Sequence, residues 1–157
     1  MAANGVATTN LLQKNKINNQ FLTFEIEDEE YGIPIEFING IIQMCSITIV
    51  PHTESFVKGI FSLRGDIIPV IDVRERFKKV PKEIKADEED TTCIIDIKFN
   101  EYRVGLIVDS VLEVVYIEPH DLSTPPNNKY SYKNDFIKYV GKHTGKLKMI
   151  IDIEKLL

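Results

Sequence analysis

From Gln20 onward the chain is a succession of short apolar runs separated by polar tips, the period of β-strands and tight turns rather than of helices. Phe21-Leu22-Thr23-Phe24-Glu25-Ile26 is rich in β-formers and partly alternates. The polar tip Glu27-Asp28-Glu29-Glu30 turns it into Tyr31-Gly32-Ile33-Pro34-Ile35. An isoleucine-rich stretch from Ile38 to Val50 follows and is closed by Pro51. Thr53 is placed to cap one helical turn over Glu54 to Lys58. Two further strands, Gly59 to Leu63 and Asp66 to Val73, flank the turn Arg64-Gly65, and Pro69 inside the second marks an edge or a bulge. Lys82 to Asp90 is charged and nearly free of apolar residues, so residues 81–90 read as a linker.

Beyond the linker the pattern recurs. At an offset of 73 positions, Leu22, Phe24, Ile26, Gly32, Ile33, Ile35 and Ile38 fall on Ile95, Ile97, Phe99, Gly105, Leu106, Val108 and Val111. At an offset of 80, Phe56, Lys58, Gly65, Ile71 and Asp72 fall on Phe136, Lys138, Gly145, Ile151 and Asp152, and Ile60, Ile67, Val70 and Val73 on Val140, Leu147, Ile150 and Ile153. The difference of seven residues (80 − 73) belongs in the loop from Pro125 to Tyr132. Two blocks in the same order predict an internal duplication. Each copy suits a small closed barrel, one over 20–80 and one over 91–157. A unit of about 60 residues buries only ~60% of its unfolded surface, so the two are expected to share a core and to leave a groove where they meet.

Composition narrows the chemistry. Of 157 residues 43% are hydrophobic, enough for a packed core, and the net charge of −5 speaks against nucleic acid as a partner. Both halves are acidic: residues 1–80 carry 8 basic against 10 acidic side chains, and residues 81–157 carry 11 against 14. A small-barrel nucleic-acid binder, the alternative from another class, would want a basic face with exposed aromatics. Cys45 and Cys93 lie inside apolar runs and are expected as buried thiols in a reducing, cytoplasmic setting. No stretch approaches the roughly 20 apolar residues of a membrane span, so direct membrane insertion is not expected. Residues 1–19 are polar and read as a flexible lead-in.

Catalytic signatures are missing: no phosphate loop, no G-x-G-x-x-G, no G-x-S-x-G elbow and no H-E-x-x-H. His52, His120 and His143 stand apart in loop-like sequence, and neither cysteine has metal-site spacing. Neither an enzyme nor a bound metal or cofactor is expected. The acidic runs Asp28-Glu29-Glu30 and Asp87-Glu88-Glu89-Asp90 read as solvated. Asp72 and Asp152 each follow a buried strand and are expected as N-caps of short helical turns, Val73 to Phe77 and Ile153 to Leu157.

Two features point to binding. Ile38, Ile41, Ile42, Met44, Ile47, Ile49 and Val50 supply more apolar surface than one half-buried strand requires. Internal cover on both faces is the expectation; an exposed strand open to a partner is the alternative. Arg64 stands at a turn tip whose counterpart in the second copy is Thr144-Gly145, so the turn itself does not demand an arginine. Such a residue is ordinarily solvated, but at the mouth of a groove its guanidinium reads carboxylates.

The run Phe56-Val57-Lys58-Gly59-Ile60-Phe61-Ser62-Leu63-Arg64-Gly65-Asp66-Ile67-Ile68-Pro69-Val70-Ile71-Asp72-Val73-Arg74-Glu75-Arg76-Phe77 closely resembles the signature of the CheW family. Glu29-Glu30-Tyr31-Gly32-Ile33, Gly105-Leu106-Ile107-Val108-Asp109 and Met149 to Leu157 support the resemblance, which covers 20–157. It implies an all-β chain with minor α content: two SH3-like five-stranded barrels packed together, with short helical turns and a short C-terminal helix. It also implies a non-catalytic adaptor between the cytoplasmic tips of methyl-accepting chemoreceptors and the regulatory domain of a CheA-type histidine kinase. By position, the receptor groove would include Ile38, Gly59, Arg64, Val111 and Val114, and the kinase-facing edge Ile41, Ile42, Gln43 and Met44. Three positions depart from the pattern: Gly40 where relatives often carry Glu, Tyr139 in place of a common Gly, and Asn127-Asn128 in place of an acidic-aromatic pair.

Overall fold

The computed structural model describes residues 19–79, 91–125 and 135–157; the lead-in, the linker 81–90 and Asn127-Asn128 lie outside them. Eleven strands form two sheets among these residues. They are β1 (Gln20–Ile26), β2 (Glu29–Pro34), β3 (Ile38–Gln43), β4 (Val57–Leu63), β5 (Asp66–Asp72), β6 (Cys93–Phe99), β7 (Tyr102–Val108), β8 (Ser110–Tyr116), β9 (Leu122–Ser123), β10 (Ile137–His143) and β11 (Lys146–Ile151). Two short helices follow β5 and β11: α1 (Val73–Arg76) and α2 (Ile153–Leu156).

The duplication holds to the level of strand register. Leu22 faces Ile33 across β1–β2 as Ile95 faces Leu106 across β6–β7. Parallel pairing sets Val70 against Gly105 and Ile150 against Gly32, again at offsets of 80 and 73. The antiparallel pairs β3–β6 and β1–β8 even slip by a bulge at the matching place, between Ile38 and Gly40 and between Phe24 and Leu22. Asp72 and Asp152 cap α1 and α2 as expected, accepting from the backbone N–H of Arg74 at 2.9 Å and of Lys155 at 3.4 Å.

The sheets nevertheless cut across the expected division into 20–80 and 91–157. Their orders are β8-β1-β2-β11-β10-β9 and β3-β6-β7-β5-β4. Each sheet therefore takes a hairpin from one copy and the rest from the other, four strands in the larger sheet and three in the smaller, because β1–β2 and β6–β7 have exchanged places. The hairpins are interchangeable in register, so the exchange satisfies every ladder bond that an unexchanged pairing would. The sixth strand of the larger sheet, β9, contributes two residues; its counterpart is the isolated bridge between Thr48 and Ile60.

Exchange also explains the shared core. Buried side chains of both sheets, among them Phe24, Tyr31, Ile33, Ile71, Ile95, Ile97, Leu106 and Ile151, form one continuous cluster. Each sheet keeps only a small satellite, Phe21, Val115, Ile117 and Ile150 in one and Phe61, Ile68, Val70 and Ile94 in the other. Burial of this much apolar area at about 25 cal/mol per Å² is the main term holding the two units together. Arg76 lies between the matching rings of Phe56 and Phe136, at 4.5 and 4.4 Å, and its Nε donates to the Leu156 carbonyl at 3.2 Å.

Several sequence expectations need correction. Glu54 to Lys58 forms no helix: Val57 N–H closes a single turn on Glu54 O, and Thr53 donates its hydroxyl back to Val50 O. Pro69 is not on an edge strand, but β5 pairs with β7 only from Val70 onward, so its missing N–H falls where β4 is the one neighbour. Neither thiol is fully buried: Cys45 is exposed and Cys93 half-buried, where burial pushes its pKa up. Glu30 is not solvated either, since it pairs with the buried Lys148 across β2–β11.

Candidate functional site: an exposed edge strand and an arginine turn

The strand β3 lies at the edge of its sheet, bonded on one side to β6. Ile38 and Ile42 turn inward, toward the shared core and the satellite respectively, whereas Ile41, Gln43 and Met44 turn out. Ile41 keeps 51% of its surface and Met44 40%, and beyond the strand Ile49 keeps 81%. The expectation of cover on both faces therefore fails. A continuous apolar run conceals which side is exposed, because edge position is a property of the sheet and not of the strand.

Arg64 and Gly65 connect β4 to β5 in a two-residue turn with φ of +51° and +87°, the left-handed pair that matches the twist of a hairpin. Thr144 and Gly145 repeat it with +51° and +78°. The Arg64 side chain is exposed and forms no ion pair among the described residues.

Arg64 shares a cleft of about 360 Å³ with Asn39, Gly40, Ile41, Ile42, Leu63, Asp96 and Arg103. A side chain added at Gly40 would meet nothing within 4 Å, so this departure leaves the cleft wider. On its floor Arg103 donates from Nε and Nη2 to the buried Asp96 at 3.1 and 2.8 Å, and from Nη1 to Asp66 at 2.7 Å. These bonds, to Asp96 first, hold the Arg103 guanidinium above its ordinary pKa. The triad was missed in the sequence, although a carboxylate in the run Cys93-Ile94-Ile95-Asp96-Ile97 signals a buried partner.

The cleft brings Ile41 and Ile42 of the expected kinase edge together with Arg64 of the expected receptor groove; the remaining assigned residues lie elsewhere. Val111 and Val114 are on β8, the open edge of the other sheet, at the positions equivalent to Ile38 and Ile41. Val111 packs on the shared core, and Val114 is 55% exposed. Gly59 is buried, with φ +146°, and an added Cβ would stand 2.0 Å from the Thr48 carbonyl oxygen. Its surroundings make it a shaping residue, since no side chain fits between β4 and the backbone at Thr48. Tyr139, its counterpart at offset 80, is exposed at 37% and lines a different cleft.

Among the described residues no three or more His, Cys, Asp or Glu side chains are grouped to hold a metal, and no helix is long and apolar enough to cross a membrane. A duplicated chain whose two sheets have exchanged hairpins, with apolar edge strands and an exposed arginine at a turn, defines a two-unit all-β protein with surfaces open to partners. The chain belongs to the CheW family: the CheW-like domain matches residues 20–157, the whole of the described fold. It is 31% identical over 153 residues to chemotaxis protein CheW of Klebsiella aerogenes, covering 98% of this chain and 90% of that one. To chemotaxis protein CheW of Helicobacter pylori it is 33% identical over 140 residues, covering 88% and 81%. The crystal structure of the scaffolding protein TtCheW from Thermoanaerobacter tengcongensis superposes with a TM-score of 0.79 at 31% identity, covering 88% of this chain and 92% of that one. The family fold is two SH3-like β-barrel subdomains, and the two sheets described above are its counterparts.

Proposed function

We propose that this protein is a CheW-type chemotaxis adaptor that couples the cytoplasmic tips of methyl-accepting chemoreceptors to a CheA-type histidine kinase. Its relatives are named as chemotaxis and scaffolding proteins, which supports a non-catalytic role within the cytoplasm. No observation favours the nucleic-acid alternative, since both halves are acidic. Ile38, Gly59, Arg64, Val111 and Val114 serve the receptor side, Gly59 through the backbone it shapes. Ile41, Ile42, Gln43 and Met44 form the kinase-facing edge. The observation that carries the reading is the convergence of Arg64 with Ile41 and Ile42 around one cleft, so that the two partners meet along a shared border.

Arg64 supplies specificity. A short turn fixes its stem, and a guanidinium donates paired bonds to a carboxylate or carbonyl on a receptor helix. A charged bond of this kind contributes about 1.5–3 kcal/mol, on the order of ten- to a hundredfold in affinity. Titration of a receptor signalling tip against Arg64→Ala should show that loss, with kinase binding and melting temperature near wild type. Arg64→Lys should recover only part of it. Equal receptor affinities for wild type and Arg64→Ala would remove Arg64 from the receptor surface.

A further inference from the structure

The duplication allows each charged group to be compared with its counterpart, and one ionic clamp is built in only one half. Arg74, on α1 and largely buried, pairs with Glu27 at 3.2 Å and with Asp109, whose carboxylate also accepts from the Glu27 N–H at 2.7 Å. At offset 73 the two acidic positions become Asn100 and Glu36, and at offset 80 Arg74 becomes Glu154. Glu27 and Asn100 share the same left-handed turn conformation, with φ of 57° and 53°, which confirms the equivalence. The second half thus keeps an acid at the Asp109 position and sets another where the cation stood. Neither Glu36 nor Glu154 has a side-chain partner among the described residues, and both are exposed.

These two carboxylates border a cleft of about 410 Å³ whose apolar lining includes Phe37, Phe99, Leu122 and Tyr139. Phe37 and Phe99 meet edge to face at 5.5 Å. Asp152, also in the lining, is engaged as the α2 cap, and the Lys138 ammonium lies 5.7 Å from the Tyr139 ring centre. The cleft therefore offers an apolar floor beside two acids that have no ion-pair partner among the described residues, in the place where the other half holds a guanidinium.

We infer that this cleft is a second docking surface, for a protein segment that presents an arginine next to a bulky aliphatic side chain. The arginine takes the position between Glu36 and Glu154 that corresponds to Arg74, and the aliphatic group lies against Phe37, Phe99 and Tyr139. None of the residues assigned to the receptor or kinase surfaces lines it.

The probe is the peptide acetyl-Leu-Arg-Leu-Leu-amide, titrated into 15N-labelled protein, with citrulline in place of arginine as the uncharged control. Shifts should concentrate at Glu36, Phe99, Tyr139 and Glu154, and the citrulline peptide should bind at least tenfold more weakly. Glu36→Gln combined with Glu154→Gln should remove that preference. Glu154→Arg should abolish binding and raise the melting temperature, because it sets a cation beside Glu36 as Arg74 stands beside Asp109. Arg64→Ala should bind the peptide as wild type does, which separates this surface from the adaptor cleft. Equal binding of the two peptides, no shifts at these residues, or retained preference in the double variant overturns the inference. So does a concentration-dependent dimer whose interface covers the cleft.

Discussion

The two halves of the molecule share a backbone to the level of individual bulges and keep their cap carboxylates, but differ in several of their ion pairs. On the floor of the edge cleft, Arg103 is flanked by Asp96 and Asp66. At the equivalent positions of the other sheet, Glu30 is flanked by Lys146, the counterpart of Asp66, and by Lys148, the counterpart of Ile68. Asp96 itself is matched by Thr23, whose hydroxyl bonds the Glu113 carbonyl at 2.6 Å. The ion pair has been kept and its sign reversed. Arg74 and Glu154 also reverse in charge, Arg64 and Thr144 differ by the loss of one, and Gly59 and Tyr139 differ in size. Ladder bonds and apolar spacing are what a duplicated fold must retain; the polar positions are free to diverge.

The largest test of this difference is Gly59 against Tyr139. Gly59→Val forces a Cβ against the Thr48 carbonyl at a left-handed φ and should cost about 4 kcal/mol, a large part of the stability of an ordinary domain. Tyr139→Gly removes an exposed ring and should cost about 1 kcal/mol. Urea denaturation of both decides whether the asymmetry is one of packing.

Next is the reversed ion pair. Lys148→Met leaves the half-buried Glu30 with only Lys146 at 3.7 Å and should cost about 2 kcal/mol, with Glu30→Leu added on the same chain recovering most of it. The Lys148 hydrogen bond lowers the Glu30 pKa below its ordinary 4.5. A lowered acid contributes its stability in full above the unfolded value and loses it as pH falls through the folded one. Melting curves from pH 6 downward should therefore show a loss beginning near 4.5 in the wild type, and the double variant should lack that component.

Smallest is the pair of helix caps. Asp72→Ala should cost about 1 kcal/mol, and Asp152→Ala less, because its bond to Lys155 N–H is longer by 0.5 Å (3.4 against 2.9). Equal costs would show that the caps hold the two halves alike.

The repeat was legible because its two offsets place like residues in like environments, and the caps and the Arg64 turn followed from local rules. The exchange of hairpins was not. Leu22 facing Ile33 and Ile95 facing Leu106 look the same whether a hairpin stays with its own copy or crosses to the other, so no pattern along the chain separates the two. Exposure of Ile41 and Cys45 was hidden for a related reason, since only the sheet order tells which strand is left at an edge. The empty clamp at Glu36 and Glu154 needed both halves side by side before a missing cation could be noticed.

The exchange also sets the order of events at the ribosome. Thr23 finds its hydrogen-bond partner 90 residues later and Glu30 its ion-pair partner 118 residues later. The first hairpin to be synthesised gains its neighbour β8 only after some 90 residues and its other neighbour only when β11, the last strand, has emerged. Contacts this distant in sequence slow folding and prolong exposure to aggregation. The same dependence means that a chain truncated before β11 keeps β8 for β1 to pair with but leaves β2 without its parallel neighbour and Glu30 without Lys148.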